Sequence, residues 1–322
     1  MLIAEYGRIK RDWFRKFYPY KRMPSHDTIS DLFSVLDPQT FGECFINWIN
    51  DVASKTDSDV IAIDGKTVRG AASKGNKFPL HIVTAFCAKN RLCLGQQAVA
   101  EKSNEIIAIP QLLDLITIEG CIITLDAMGC QKDIAEKIRS KDAHYILQVK
   151  DNQKNLKEQM EDIFDSKTSR KTDQKQGIGH GRIELRKCEA IPITSIVLDG
   201  AQDWQDMQTL VRIRSERTIK KTGEKSAEYR YYITSLQDDA ELLNQSIRSH
   251  WMIENNLHWN LDVIFKEDGQ LKRQGNSAQN FNIISKTALG LIDNEKTAKM
   301  SKPMKRLRAS IDDKYRELIM KI

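Results

Sequence analysis

Three acidic residues sit in contexts where a carboxylate can do chemistry. Asp64 follows the apolar run Val60–Ile63 in "DVIAIDGKTVRGA", and Asp126 follows Cys121–Leu125 in "CIITLDAMG". Glu254 lies in the helical stretch "DDAELLNQSIRSHWMIENNLHWNLDVIF". An ionised carboxylate at the end of an apolar strand costs several kcal/mol unless something positive meets it, and a hard metal ion is one solution. Each acid also has an ordinary role: an Asp after a strand starts a turn or caps the next helix, and Glu254 can be a solvated helix acid. The two aspartates share one context, a strand followed by a small-residue turn, and ligands of an open α/β sheet collect at the carboxyl ends of its strands. His250, Glu254 and His258 recur at i, i+4 and i+8, so they project from one helical face, with Trp251, Leu257 and Leu261 opposite, toward a core.

The elements that must position these residues alternate along the chain. Residues 1–55 read as helices: "SHDTISDLFSVL" has a Ser or Asp N-cap before an apolar period, and "TFGECFINWINDVASK" repeats Phe41, Cys44, Phe45 and Trp48 on one face. "SDVIAIDG", "FPLHIVTAFCAK" and "RLCLGQQAVAE" predict a three-stranded meander, with Asp64 ending the first strand. "NEIIAIPQLLDLI" predicts a helix kinked at Pro110. "GCIITLDAMGCQKDIAEKIRSKDAHYILQVKD" reads as strand, helix, strand, the unit of a parallel sheet. A charged helix follows in "NQKNLKEQMEDIFDSK". The runs "HGRIELRKCEAI", "DMQTLVRIRSERTI" and "AEYRYYITSL" then predict a small antiparallel insertion.

Composition bounds the function. At 322 residues the chain can bury a large core. A net charge of +6 and a pI near 8.8 favour a polyanionic partner without demanding one. Mean hydropathy is −0.49, and the most apolar region, "IIAIPQLLDLITIEGCIITL", is broken by Pro110, Asp114, Glu119 and Gly120, so it cannot span a bilayer. The N-terminus lacks the unbroken apolar core of a secretory signal, and a cytoplasmic, nucleoid-associated protein with no membrane partner is expected. The six cysteines form no CxxC pair and read as reduced core residues. No Ser, Cys or Tyr shows a partnered His–Asp arrangement, which argues against covalent catalysis.

Taken in order, "PSHDT", "IAIDGKTVRGA", "EKSNEI", "ITLDAMGCQKDIAEKI", "YILQVKDNQ", "HGRIELR", "YYITS" and "IRSHWMIENNLHWNLDVIFKEDG…RQGNSAQN" resemble the DDE transposases of bacterial insertion sequences, in the branch of the H-repeat-associated proteins. The likeness runs from about residue 24 to about 293. It implies an α/β fold with an RNase H-like mixed sheet flanked by helices. The expected organisation is an N-terminal helical segment over 1–55, a catalytic domain over 56–295 with a β-rich insertion at about 176–237, and a basic helical tail over 296–322.

The resemblance maps the family's three metal-binding acids onto Asp64, Asp126 and Glu254. It implies two Mg²⁺ ions, with Mn²⁺ able to substitute, and an enzyme that cleaves and transfers strands of double-stranded DNA, working as a homodimer on two element ends. Lys66, Arg69, Lys150, Arg182, Arg186 and Arg248 are candidate phosphate contacts beside these motifs. His180, His250 and His258 are expected to be neutral and packed, and Trp251 and Trp259 to pack in the core rather than stack a base. Related transposases carry an Arg four residues before the last acid and a Lys seven after it; His250 and Leu261 stand there, so that accessory pattern does not transfer. The first segment is expected to be shorter than in relatives. A catalytically inert DNA-binding remnant is therefore the alternative function, and a structure-selective nuclease a weaker third.

Overall fold

The structure, a computed structural model, describes residues 2–52, 59–71, 80–99, 105–166, 169–179 and 181–320. Ser58, Phe78, Pro79, residues 101–104, His180 and the Trp48 side chain, all part of the expectations above, lie outside what is described. Four helices lead: α1 (Leu2–Ile9), α2 (Arg11–Arg15), α3 (His26–Val35) and α4 (Pro38–Val52). Ser25 caps α3, its Oγ accepting the Thr28 backbone N–H at 3.1 Å. Then come β1 (Val60–Val68), β2 (Leu80–Cys87), β3 (Leu92–Val99) and α5 (Glu105–Leu115), which holds Pro110. β4 (Ile122–Leu125), α6 (Lys132–Arg139), β5 (His144–Val149) and α7 (Lys154–Asp165) complete the parallel part.

The insertion supplies β6 (Lys171–Gly179), β7 (Arg182–Pro192), β8 (Thr209–Ile219) and β9 (Lys225–Thr234). It does not stand apart from the sheet that β1–β5 begin. Among the described residues nine strands form one sheet, in the order β3-β2-β1-β4-β5-β9-β8-β7-β6. β9 runs antiparallel to β5 from Ile146↔Thr234 to Val149↔Tyr231. An open β5 edge would leave backbone N–H and C=O groups unpaired, and β9 takes them up.

Residue parity assigns the faces. On β1, β4 and β5 the odd residues Ile61, Ile63, Ile123, Leu125, Tyr145 and Leu147 pack under α5, α6 and α7, with Leu112, Leu113, Ile134 and Met160. The even residues Ala62, Ile122 and Ile146 face the other way. There they meet α8 (Ala240–Met252), a π-helical turn at Ile253–His258 and α9 (Trp259–Val263) through Leu243, Ile247, Ile253, Leu257 and Leu261. β4 is buried at every position, because a central parallel strand is covered on both faces.

α10 (Ser277–Asn294), α11 (Lys302–Ile311) and α12 (Asp313–Met320) close the chain against its start. The Trp13 indole N–H donates to Glu317 at 2.7 Å, Lys10 pairs with Asp313 at 2.7 Å, and the Arg316 guanidinium lies 4.0 Å from the Trp13 ring centre. Several cations of the basic tail are spent inside the fold, Lys302 on Asp293 at 2.8 Å and Lys305 on Glu295 at 3.0 Å. No described helix is long and apolar enough to cross a membrane.

Gly70 marks a close approach between the end of the β1 segment and the turn at Glu267–Gly269. A Cβ there would meet the carbonyl oxygen of Gln270 and, at 2.8 Å, that of Glu267. Gly70→Ala is expected to destabilise the chain by about 1–3 kcal/mol, read as a lower midpoint in urea unfolding. An unchanged midpoint would show that the turn withdraws freely.

Candidate active site

Asp64 does not end its strand. β1 continues to Val68, and Asp64 pairs across β2 with Thr84. What ends at this level is the parallel ladder, whose last pair is Ile63↔Leu125. Asp64 and Asp126 are therefore level on neighbouring strands, and both carry even parity, which turns them to the α8 face. β1 outlasts β4 because it keeps its antiparallel partner β2 through Val68↔Leu80, whereas β4 gives way to the turn that leads into α6.

Glu254 arrives in the π-helical turn between α8 and α9, where the Trp259 backbone N–H reaches back to the Glu254 carbonyl. Such a turn inserts one residue into the helical repeat, so the i, i+4, i+8 register read from sequence is offset here. Glu254 is exposed, at the mouth of a cavity of about 200 Å³ whose lining includes Asp64, Asp126, Lys150, Arg230, His250 and Trp251.

Burial pushes the Asp64 carboxyl up to about 7, with the charges of Asp126 and Glu254 adding to it and Glu105 contributing further. Burial and then Glu105 raise Asp126 as well, against the backbone N–H groups of Gly129 and Met128, which its Oδ1 accepts at 3.4 and 3.0 Å. The histidines beside the acids do not offset this charge. His258 Nδ1 lies 3.5 Å from Asp64 Oδ2, but burial, and then Lys286, hold its ring down at about 3. His250 shares a hydrogen bond with the Thr124 hydroxyl at 2.9 Å, and burial holds it down at about 4. Both rings are neutral at pH 7.

The candidate cations take different positions. Lys66 does not face the cavity: its ammonium is held by Asp262 at 2.5 Å and Glu267 at 2.7 Å, and those carboxylates raise its pKa against the effect of burial. Arg69 is exposed, its backbone N–H donating to Asp268 at 3.3 Å. Lys150 is exposed on the rim of the acid cavity. Arg248 and Arg186 line an adjoining cavity of about 240 Å³ that shares Arg230, Tyr232 and Trp251 with the first. Arg182 pairs with Glu184 at 2.8 Å and lines neither. Burial, with Arg248 and Arg230 close by, brings Arg186 down to about 10, and among the described residues its Nε has no hydrogen-bond partner.

The tryptophans depart from the expected core packing. Trp259 is 58 % exposed, and Trp251 lies on the cavity wall with the Arg230 guanidinium 5.0 Å from its ring centre. Arg230 itself escaped the sequence reading, since alternation in "AEYRYYITSL" says which residues share a face but not that this face meets a helix end.

Among the described residues no three His, Cys, Asp or Glu side chains close into a ready metal cage. The donor chemistry nonetheless fits hard divalent cations: three carboxylates border one cavity, and their mutual repulsion on Asp64 is what a cation relieves.

The family described as Transposase DDE domain matches residues 55–291, and one described as DDE_Tnp_1-associated matches 2–49. The chain is 38% identical over 321 residues to the H repeat-associated putative transposase YhhI of Escherichia coli (strain K12), covering 97% of this chain and 85% of that protein. It is 38% identical to the putative protein YbfL of the same strain, with the same coverage, and 39% identical over 327 residues to the putative transposase YncI of Escherichia coli O157:H7, covering 99% of this chain and 83% of that one. A solved piggyBac transposase, in a synaptic complex with hairpin DNA, superposes with a TM-score of 0.51 at 12% identity over 94% of this chain and 62% of its own. That likeness identifies the fold as RNase H-like.

Proposed function

The chain belongs to the DDE transposase family, in the company of the H-repeat-associated proteins, and on that premise we propose that it cuts and joins DNA at the cavity bordered by Asp64, Asp126 and Glu254. The observation that carries this reading is that three carboxylates, from β1, the β4–α6 turn and the π-helical turn, border one cavity. Asp64 would hold both cations, with Asp126 and Glu254 holding one each. Two Mg²⁺ ions, or Mn²⁺ in their place, would supply an activated oxygen nucleophile and stabilise the leaving oxygen.

The chain's own residues do the rest. Asp126 is oriented by the N–H groups of Met128 and Gly129. His250 and His258, neutral and buried, brace the sheet face beneath the acids without cancelling their charge. Lys150, Arg230 and Arg248 border the two joined cavities and would hold phosphates on either side of the reacting one. Arg69 and Arg182 are exposed and would contact the duplex farther out, whereas the half-buried, doubly paired Lys66 is assigned to holding the Asp262–Glu267 turn. Joining two ends calls for two copies of the chain on the DNA.

The test is the purified chain with a labelled DNA carrying an element end, in Mg²⁺ or Mn²⁺. Nicked and joined products are expected. Binding without cutting in either metal would replace this reading with that of an inert DNA-binding remnant, and nicks that never join would make the chain a nuclease. DNA affinity is expected to fall steeply with salt, with Lys150→Ala lowering the log–log slope by about 1. An unchanged slope would remove Lys150 from the phosphate contacts.

A further inference from the structure

Behind Asp64, on the opposite side of β1, lies a carboxylate that this mechanism does not use. Glu105 opens α5 and is buried, and its Oε1 is 2.5 Å from Nε2 of His81, also buried. His81 Nδ1 in turn is 3.0 Å from the Thr67 hydroxyl. The ring thus bridges the Thr67 hydroxyl and the Glu105 carboxylate, and fixes that carboxylate from one side.

Gly65 makes the approach possible. A Cβ at that position would sit 2.5 Å from Glu105 Oε1 and 2.5 Å from His81 Nε2, so any side chain there would expel the pair. With only a glycine backbone between, the Glu105 charge acts on both Asp64 and Asp126. A buried acid beside two other acids is a poor choice for stability alone. A fixed His partner on one oxygen and a side-chain-free strand residue in front of it are the arrangement by which a neighbouring group tunes the groups that bind a cation.

We propose that Glu105, held by His81 behind Gly65, is a fourth acid of this site: a positioning residue whose charge strengthens the hold of Asp64 and Asp126 on a divalent cation. The inference rests on the metal-dependent reading above.

The test is Mn²⁺ binding to the full chain without DNA, followed by the electron paramagnetic resonance of free Mn²⁺. Glu105→Gln keeps size and can still accept from His81; it is expected to weaken Mn²⁺ binding about tenfold, with the unfolding temperature in chelator not lowered. Mn²⁺ affinity within twofold of wild type would overturn the proposal. Asp126→Asn, measured alongside, separates the two readings. If it too retains wild-type affinity, the metal-dependent reading itself fails; if it loses binding while Glu105→Gln does not, only the fourth acid falls.

A second measurement on wild type needs no variant to fold. Fe²⁺ with ascorbate, bound in place of Mn²⁺, is expected to cut the backbone near Asp64, Asp126, Glu254 and also Glu105. Cuts at the first three without the fourth would overturn the proposal.

Discussion

Asp126→Asn is expected to lower strand cleavage and joining by orders of magnitude while DNA binding is retained or improves. The side chain keeps its shape, and Oδ1 can still accept the backbone N–H groups of Met128 and Gly129, so the turn after β4 should survive. What is lost is the negative charge that, on the proposed reading, would hold a cation beside Asp64. Removing a negative charge from a cavity rimmed by Lys150 and Arg230 also lessens its repulsion of phosphate, which is why binding should not suffer. Asp64→Asn and Glu254→Gln should behave alike in a cleavage assay with Mg²⁺ or Mn²⁺. Variants that cut as well as wild type would place the chemistry elsewhere, with Glu267 and Asp268 the next acids to examine.

In chelator, Asp64→Asn is expected to stabilise the chain at high pH and hardly at all at low pH. The folded Asp64 carboxyl is pushed up to about 7, by burial first and then by Asp126 and Glu254. In the unfolded chain it titrates near 3.9. The native state therefore binds the extra proton between those values. Its contribution is fully present below about pH 4 and is lost as pH rises through about 7, roughly 4 kcal/mol in all at ~1.4 kcal/mol per unit. His250 and His258 work in the opposite sense: held down at about 4 and about 3, they destabilise the native state as pH falls from about 6.5. The wild-type profile sums both effects, whereas the difference between wild type and Asp64→Asn isolates the aspartate. Urea unfolding at pH 5 and pH 8.5 measures it, and parallel profiles for the two proteins would sink the idea. Adding Mn²⁺ should raise wild type by about 3 kcal/mol at a hundredfold excess over its Kd and the variant by much less.

How much of the site was legible differs residue by residue. Asp64 and Asp126 stood out because an acid following four or five apolar strand residues is conspicuous, and Glu254 because it sat among His and Trp at helical spacing. The phosphate candidates fared unevenly, since charge in a sequence does not say what it meets. Lys66 follows Asp64 by two residues yet is taken by Asp262 and Glu267, 196 and 201 positions away. Arg230 and Glu105 carried no local signal, because their significance lies wholly in partners from other elements.

By itself the sequence determined the local periodicities: helices over the first fifty residues, the meander, the strand–helix–strand unit and the family likeness. Those follow from side-chain alternation and capping, which act over a few residues. Register, parity and helix phase were decided only in the tertiary structure. The pairing Ile63↔Leu125 brings Asp64 level with Asp126, and even parity turns both toward α8. The π-helical turn sets Glu254 over the same cavity. The continuation of β1 past Asp64 and the joining of β9 to β5 belong to the same class. Each depends on which backbone groups find partners across long stretches of chain, and a strand shifted by one residue would carry its acid to the opposite face with no change in the local pattern.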